Sequence, residues 1–217
     1  MFRKPCPGDS RQHLSNELFE FSQAYLTRTR RLLFLRGPIL SSPERFDVFS
    51  PAAIGDDIMA MNIEDPVTPI YLIIESPGGD IASGFQLFDI IKLSRAPIIT
   101  VAASCASLAT VLICAGTERL ALPHSRLMLH LPSSGIKGDA EEIKIRSDLV
   151  QEIKAEMVDV YLKRGVTAGL KDKTEAQIRK QLLKDIDREK WLTTKQAMEY
   201  GLIDRVVTSA DFFGALP

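Results

Sequence analysis

The sequence predicts one α/β domain in which helices cover a largely parallel sheet. Short apolar runs, of which Ile70–Glu75 is the clearest, alternate along the chain with longer segments whose apolar residues recur at helical spacing. The runs are apolar throughout, whereas a strand with one solvated face alternates apolar and polar residues. Continuous apolar runs are typical of strands buried on both faces, as in parallel sheets between layers of helices.

In the first half of the chain, turn residues mark where each element ends. Gly37-Pro38 ends one apolar run, Pro51 stands in the first turn of a helical segment, and Ser76-Pro77-Gly78-Gly79 stops the next run. After a polar arm at residues 1–13, the predicted elements are helix 14–29, strand 32–35, helix 50–61, strand 70–75, helix 83–93, strand 98–102 and buried helix 107–115.

The second half contains the longest helical pattern of the chain, residues 139–164. Its apolar positions recur over seven turns, which is more than a domain of this size can cover, so we expect this helix to project. Strands are predicted over 119–122, 126–130 and 203–207, and shorter helices over 175–184 and 194–200. With no linker or repeat in sight, residues 25–217 form one predicted domain, and residues 1–24 an arm and the start of the first helix.

Composition excludes several classes of function. The net charge of −1 gives no basic surplus for nucleic acid or an acidic membrane. The odd number of cysteines, three, argues against a disulfide framework and for a reducing compartment, so we expect a cytoplasmic protein. No cysteine pair has zinc-like spacing with histidine, so no metal is expected. Neither a signal peptide nor a membrane span is expected, because residues 1–14 lack an apolar run and residues 96–116 carry serines and threonines.

Three local features could carry chemistry. Ser76-Pro77-Gly78-Gly79 lies between a strand and a helix, where backbone N–H groups can bind an oxyanion, although a plain turn explains it too. Ser107 stands at the start of an apolar helix, as a nucleophile or as an ordinary N-cap, and Ser104 competes for either role. His130 ends a strand, where histidine is more often a packed core residue than a base.

Together these features gain meaning, because they supply the parts of acyl transfer. Oxyanion donors, a nucleophile, a general base and a carboxylate follow one another along the chain. Longer motifs then identify the chain as similar to the ClpP family: Ser76-Pro77-Gly78-Gly79, Ala106-Ser107-Leu108-Ala109, the run Leu122-Pro123-His124 to His130-Leu131-Pro132, and Glu199-Tyr200-Gly201-Leu202-Ile203-Asp204. The resemblance extends from about Tyr25 to Val207.

This resemblance implies a ClpP/crotonase-like fold whose 139–164 helix is a handle between two stacked heptameric rings. It implies a serine endopeptidase that degrades unfolded polypeptides delivered by an AAA+ ATPase and needs no cofactor for cleavage. Residue by residue, Ser107 matches the nucleophile, His130 the base, Glu189 the third triad member, and Gly79 and Leu108 the oxyanion donors. By the same matching, Gly78, Gly135 and Gly138 serve substrate binding, and Asp187 and Arg188 lie at a ring contact.

The sequence departs from the family pattern at three points. The family has an aspartate where this chain has Glu189, the axial-loop motif is not recognisable in residues 1–24, and the interval from Gly79 to Ser107 is slightly short. Glu189 favours a first alternative, a non-catalytic or weakly active ring subunit. A second alternative, a crotonase-type acyl-CoA enzyme, would require a catalytic carboxylate where Ser107 stands.

Overall fold

The part of the chain that the structure describes is a mixed α/β structure built around a seven-stranded sheet. The computed structural model describes residues 25–27, 29–41, 49–132, 137–170 and 172–207. Its strands are β1 (Leu32–Arg36), β2 (Ile70–Ser76), β3 (Ile98–Ala106), β4 (Glu118–Ala121), β5 (Arg126–Leu129), β6 (Lys190–Thr193) and β7 (Arg205–Val206). Its helices are α1 (Pro51–Glu64), α2 (Ile81–Leu93), α3 (Leu108–Ala115), α4 (Ala140–Lys163), α5 (Glu175–Asp185) and α6 (Thr194–Tyr200).

The central strand β3 divides between two neighbours. Its first part pairs in parallel with β4, and its last two residues, Cys105 and Ala106, pair in parallel with β5. The main path of the sheet is β1-β2-β3-β4-β7, all parallel, while β5 continues into an antiparallel pair with β6. The carboxyl ends of β3 and β5 therefore lie side by side, which is where open α/β sheets place their sites.

The apolar runs of the sequence form the strands and the helix that lie in the core. Ile70, Leu72 and Ile74 of β2 are fully buried, and helix α3 has every residue buried between the sheet and its neighbours. A helix that is apolar on all sides can exist only in such an interior position. The junction from β3 to α3 thus lies among deeply buried segments, β2 and α3.

Helix α4 projects from this core. It packs against the core from Ile153 onward and has its buried residues at Met157, Val158 and Tyr161, whereas most side chains before Ile153 are exposed. Ile145 and Leu149, four positions apart and so on one face of the helix, expose 67% and 53% of their surface. The projecting handle predicted from the sequence is present, and the apolar side chains of its outer part are exposed in the single chain.

Element boundaries differ from the sequence prediction in a few places. Strand β3 extends to Ala106 instead of Ala102, strand β7 is only two residues long, and strand β6 was not predicted at all. The sequence of β6, with Lys190 and Thr193 around Trp191-Leu192, is too short and polar to stand out as a strand, and it owes its conformation to pairing with β5. Most of the predicted first helix lies outside the described residues, apart from helical residues 25–27 and 29–30.

Buried Arg119 connects the C-terminal segment to the sheet. Its side chain and backbone N–H donate to the carboxylate of Asp204, and its guanidinium also donates to the carbonyls of Gly201 and Arg164. Partial burial acts to raise the pKa of Asp204, but the hydrogen bonds from Arg119 outweigh it and lower that pKa below the ordinary 3.8. The ionised Asp204 is therefore the form that stabilises the fold.

We predict that the free energy of unfolding of Asp204→Asn changes less with pH in the acidic range than that of wild type. A lowered folded-state pKa contributes stability above the unfolded-state value of 3.8, and this contribution disappears as the pH falls through the folded-state pKa. Urea unfolding should therefore show a loss at pH 7 that shrinks below pH 4, at constant protein concentration. The exposed Asp172 is the control for a lost charge. If Asp204→Asn and Asp172→Asn give the same profile, the ion pair with Arg119 does not stabilise the fold.

Candidate active site

Ser107 and His130 are brought into direct contact at the carboxyl edge of the sheet. His130 Nε2 lies 2.7 Å from Ser107 Oγ, within the distance of a strong hydrogen bond. Ser107 follows β3 and His130 follows β5, so the neighbouring parallel strands place the two residues together. A serine hydroxyl that donates to an imidazole can transfer its proton as it attacks an electrophile.

The backbone of Ser107 has an uncommon conformation, with φ 56° and ψ −127°. Such angles cost a residue with a Cβ about 1–3 kcal/mol, and they persist only where the surroundings impose them. Here the N–H of Ser107 donates to the carbonyl of Met128 over 2.7 Å. The Ser107 side chain makes no capping hydrogen bond to helix α3. The alternative explanation of Ser107 as an ordinary N-cap is therefore wrong, and its hydroxyl is available to His130.

Gly78 comes close to this serine and Gly79 to Ile39, and neither position has room for a side chain. A Cβ on Gly78 would lie 2.8 Å from the Cβ of Ser107, and a Cβ on Gly79 would lie 2.1 Å from the carbonyl oxygen of Ile39. Both glycines also have positive φ angles, 89° and 148°. The glycine at position 78 thus allows the turn to pass close to Ser107, and the oxyanion-binding role of the turn stays a prediction.

The two predicted oxyanion donors have N–H groups without an internal acceptor. Gly79 pairs with Ile39 through its neighbours, because Ile39 donates to Gly78 and accepts from Asp80. This pairing leaves the N–H of Gly79 on the opposite edge of the chain. Leu108 is the first residue of α3, where backbone N–H groups have no partner within the helix. In the described part of the chain neither N–H meets an acceptor.

Glu189 lies opposite His130 in the strand register, but its carboxylate is hydrogen-bonded to another residue. Strands β5 and β6 pair Leu129 with Lys190, so the next position places Glu189 opposite His130. The carboxylate of Glu189 is exposed and accepts a hydrogen bond of 2.9 Å from the indole N–H of Trp191. The carboxylate of Glu189 is thus turned to Trp191, and its role as third triad member stays a prediction.

The other acidic residues of this segment are engaged elsewhere. Asp185 accepts hydrogen bonds from Gln181 and Tyr200, and Asp187 lies 3.7 Å from Arg188 at an exposed position. Asp185 is thus held by other partners, whereas Glu189 is the residue that follows in register opposite His130. The predicted ring-contact residues Asp187 and Arg188 lie on the surface, and their role stays a prediction.

Cys105, two residues before Ser107, does not compete as a nucleophile. Burial raises the pKa of its thiol, and the thiol donates to the carbonyl of Ile74. Burial likewise raises the pKa of Cys114 to about 12. Ser104, the other candidate serine, is an exposed residue within β3 that pairs with Glu75. Among these side chains, only Ser107 has a base beside it.

The remaining predicted positions are less informative. Gly138 directly precedes Asp139, the N-cap of α4, and Gly135 lies outside the described residues. Within the described ranges, no group of three or more metal-binding side chains occurs, and no helix is long and apolar enough to cross a bilayer. The sequence did not point to Thr110, Tyr161 or Trp191. Thr110 and Tyr161 are hydrogen-bonded in a chain to the Ser107 carbonyl, and Trp191 to Glu189, and no sequence motif marks such contacts.

Fold and site together are those of a class of protein, the α/β serine hydrolases: a serine that follows the central strand of the sheet is hydrogen-bonded to a histidine. Residues 29–210 match the model of the Clp protease family. The chain therefore belongs to the Clp protease family, and the predicted family and fold class are confirmed. At the level of the family, the predicted function as a serine endopeptidase subunit is confirmed as well.

The names of individual similar proteins are consistent with membership of this family. The chain is 38% identical over 157 residues to "ATP-dependent Clp protease proteolytic subunit 2" of Corynebacterium efficiens, which covers 71% of this chain and 74% of the relative. It is 34% identical over 180 residues to "ATP-dependent Clp protease proteolytic subunit 3" of Rhodococcus jostii, covering 82% and 84%. A third relative, subunit 2 of Corynebacterium diphtheriae, is 36% identical over 156 residues, covering 70% and 73%.

We predict that Glu189→Gln slows peptide cleavage far more than Asp185→Asn does. Without an orienting acid the imidazole loses its tautomer and the stabilisation of its charge, and the loss in a serine protease is about 10⁴-fold. Because the carboxylate of Glu189 lies beside Trp191, we expect a smaller loss here, on the order of 10²-fold. Initial rates with a fluorogenic peptide measure the effect, and native mass spectrometry shows whether assembly is unchanged. Cleavage at the wild-type rate by Glu189→Gln would exclude Glu189 from the triad.

Proposed function

We propose that this chain cleaves polypeptides with Ser107 as nucleophile and His130 as general base. The observation that carries the proposal is the hydrogen bond of 2.7 Å between His130 Nε2 and Ser107 Oγ. For Nε2 to accept this hydrogen bond, the ring proton must lie on Nδ1. That tautomer leaves Nδ1–H to be oriented by a carboxylate, and Glu189 is the acid opposite His130 in the strand register.

Cleavage proceeds in two acyl-transfer steps. His130 takes the proton of Ser107 as Oγ bonds to the peptide carbonyl carbon, and the negative oxygen that forms is stabilised by the N–H groups of Gly79 and Leu108. His130 then gives its proton to the leaving amine as the C–N bond breaks. A water molecule, deprotonated by His130, attacks the acyl group, and Ser107 regains its proton when the second product leaves as a carboxylic acid.

Glu189 needs a side-chain rotation to reach His130. Relative to aspartate, its extra methylene moves the carboxylate by about 1.5 Å along an extended chain. In the isolated chain this longer side chain reaches Trp191 instead. We propose that Glu189 exchanges this partner for His130 Nδ1 when the ring contact beside it, Asp187 and Arg188, is formed. The same observation supports the second candidate function, a weakly active or non-catalytic ring subunit in a mixed assembly.

Assembly into two stacked heptameric rings is proposed from the handle. The outer part of α4 exposes Ile143, Ile145 and Leu149, and a second copy of the chain could bury them. Relatives are named as subunits of an ATP-dependent protease. By that relationship, the proposed partner is an AAA+ Clp ATPase that unfolds polypeptides and delivers them to the enclosed site. We propose the expected cytoplasmic location from the odd number of cysteines, and a domain that begins near residue 25 from the family match over residues 29–210.

We predict that a fluorophosphonate probe labels Ser107 and no other serine. Only a serine whose proton can pass to a neighbouring base attacks phosphorus at a useful rate. Peptide mapping of the labelled protein locates the adduct, and Ser107→Ala removes it. Ser104→Ala is the matched control, because this serine lies three positions earlier on β3 and should leave labelling intact. An adduct on Ser104, or labelling that survives Ser107→Ala, would overturn the assignment.

We predict that Ile145→Glu and Leu149→Glu separate the assembly at the contact between rings. Burying a carboxylate in an apolar interface costs several kcal/mol, so the double ring should dissociate to smaller species. Native mass spectrometry at micromolar concentration measures the mass of each species. Val67→Glu replaces another highly exposed apolar residue outside α4 and should leave the mass unchanged. A wild-type protein that is only monomer or dimer would contradict the proposed ring.

A further inference from the structure

A chain of buried hydrogen bonds connects helix α4 to the nucleophile. The hydroxyl of Tyr161 lies 2.8 Å from Thr110 Oγ1, and Thr110 Oγ1 donates to the carbonyl oxygen of Ser107 over 2.7 Å. Tyr161 and Thr110 are fully buried. Buried hydroxyls of this kind are costly unless each proton and lone pair is used, so such a chain has a fixed arrangement.

The direction of the hydrogen bonds follows from the number of protons. Thr110 has one hydroxyl proton, which it donates in the hydrogen bond to the Ser107 carbonyl. Tyr161 must therefore be the donor in the hydrogen bond to Thr110 Oγ1. Burial raises the pKa of Tyr161, which keeps its hydroxyl protonated as a donor. The Ser107 carbonyl also accepts the backbone N–H of Thr110 over 2.9 Å. Two donors from one residue therefore hold this carbonyl.

That carbonyl belongs to the same peptide unit as the N–H of Leu108. The peptide is planar and trans, so its C=O and N–H point in opposite directions and rotate together. Fixing the oxygen of Ser107 consequently fixes the direction of the Leu108 N–H. The other end of this peptide is held by packing, because Leu108 is buried so closely against Gly84 that a Cβ there would lie 2.1 Å from Leu108 Cδ2.

We propose that Thr110 and Tyr161 are positioning residues for the oxyanion donor of Leu108. This inference rests on the proposed function, in which that N–H stabilises the oxyanion. The hydroxyl chain holds the peptide plane before substrate arrives, so no reorientation is needed as charge develops. It also polarises the peptide, since a carbonyl that accepts hydrogen bonds makes its own N–H a stronger donor. The arrangement is present before substrate binds, but it stabilises only the negative charge that develops in the transition state.

The test compares variants that keep shape and remove one hydroxyl. Thr110→Val should lower kcat by about 10- to 10²-fold, and Tyr161→Phe by about 3- to 10-fold, because a displaced oxyanion donor loses part of its value. KM for a fluorogenic peptide should change by less than about twofold, since ground-state binding does not use the oxyanion. Thr110→Ser keeps the hydroxyl and should restore most of kcat.

A matched control separates positioning from stability. Thr100 is also fully buried, and its hydroxyl donates over 2.9 Å to the carbonyl of Ile113, at the opposite end of the same helix α3. Thr100→Val should destabilise the fold as Thr110→Val does, without lowering kcat. Thermal unfolding and native mass spectrometry check that all variants are folded and equally assembled.

The outcomes distinguish this inference from the function on which it rests. If wild type takes up the fluorophosphonate at Ser107 and Thr110→Val reacts and cleaves as fast, the positioning role is wrong and the proposed nucleophile stands. Equal losses of kcat in Thr110→Val and Thr100→Val would also overturn it, since they reflect a general loss of stability. If wild type shows neither labelling nor cleavage at Ser107, the proposed function fails and the positioning role with it.

Discussion

The candidate site depends on the backbone conformation of Ser107. Its positive φ is unfavourable, and it places the side chain toward His130 instead of over the first turn of α3. Three contacts hold it: the hydrogen bond from its N–H to Met128, the close approach of Gly78, and the two hydrogen bonds that Thr110 donates to its carbonyl. Each comes from a different element, so the conformation is a product of the whole junction between sheet and helix.

Sheet topology explains why these elements meet. Strand β3 pairs with β4 over its first part and with β5 at its end, and this division opens the carboxyl edge between them. The site occupies that opening. Ser107 and His130 follow adjacent parallel strands, and the antiparallel strand β6 then brings Glu189 to the position opposite His130. The same fold that buries α3 therefore also fixes the order in which the proposed nucleophile, base and acid are arranged.

Much of the site could be predicted because its residues carry local signals. The turn at Ser76-Pro77-Gly78-Gly79, the serine after an apolar run and the histidine at a strand end each have a physical signature in the chain. Contacts between distant residues carry none. The pairing of Thr110 with Tyr161, fifty-one positions apart, depends on how α4 packs on α3. Strand β6 and the hydrogen bond from Trp191 to Glu189 were missed for the same reason, since tertiary pairing decides them.

The central claim, that Ser107 forms a covalent acyl intermediate, is tested most directly by trapping it. The protein is mixed with a peptide ester, quenched with acid within the first turnover, and its intact mass and proteolytic fragments are measured. We expect a mass increase equal to the acyl group on the fragment that contains Ser107, and no such increase in Ser107→Ala. Release of product without an adduct, or an adduct on another residue, would contradict the account.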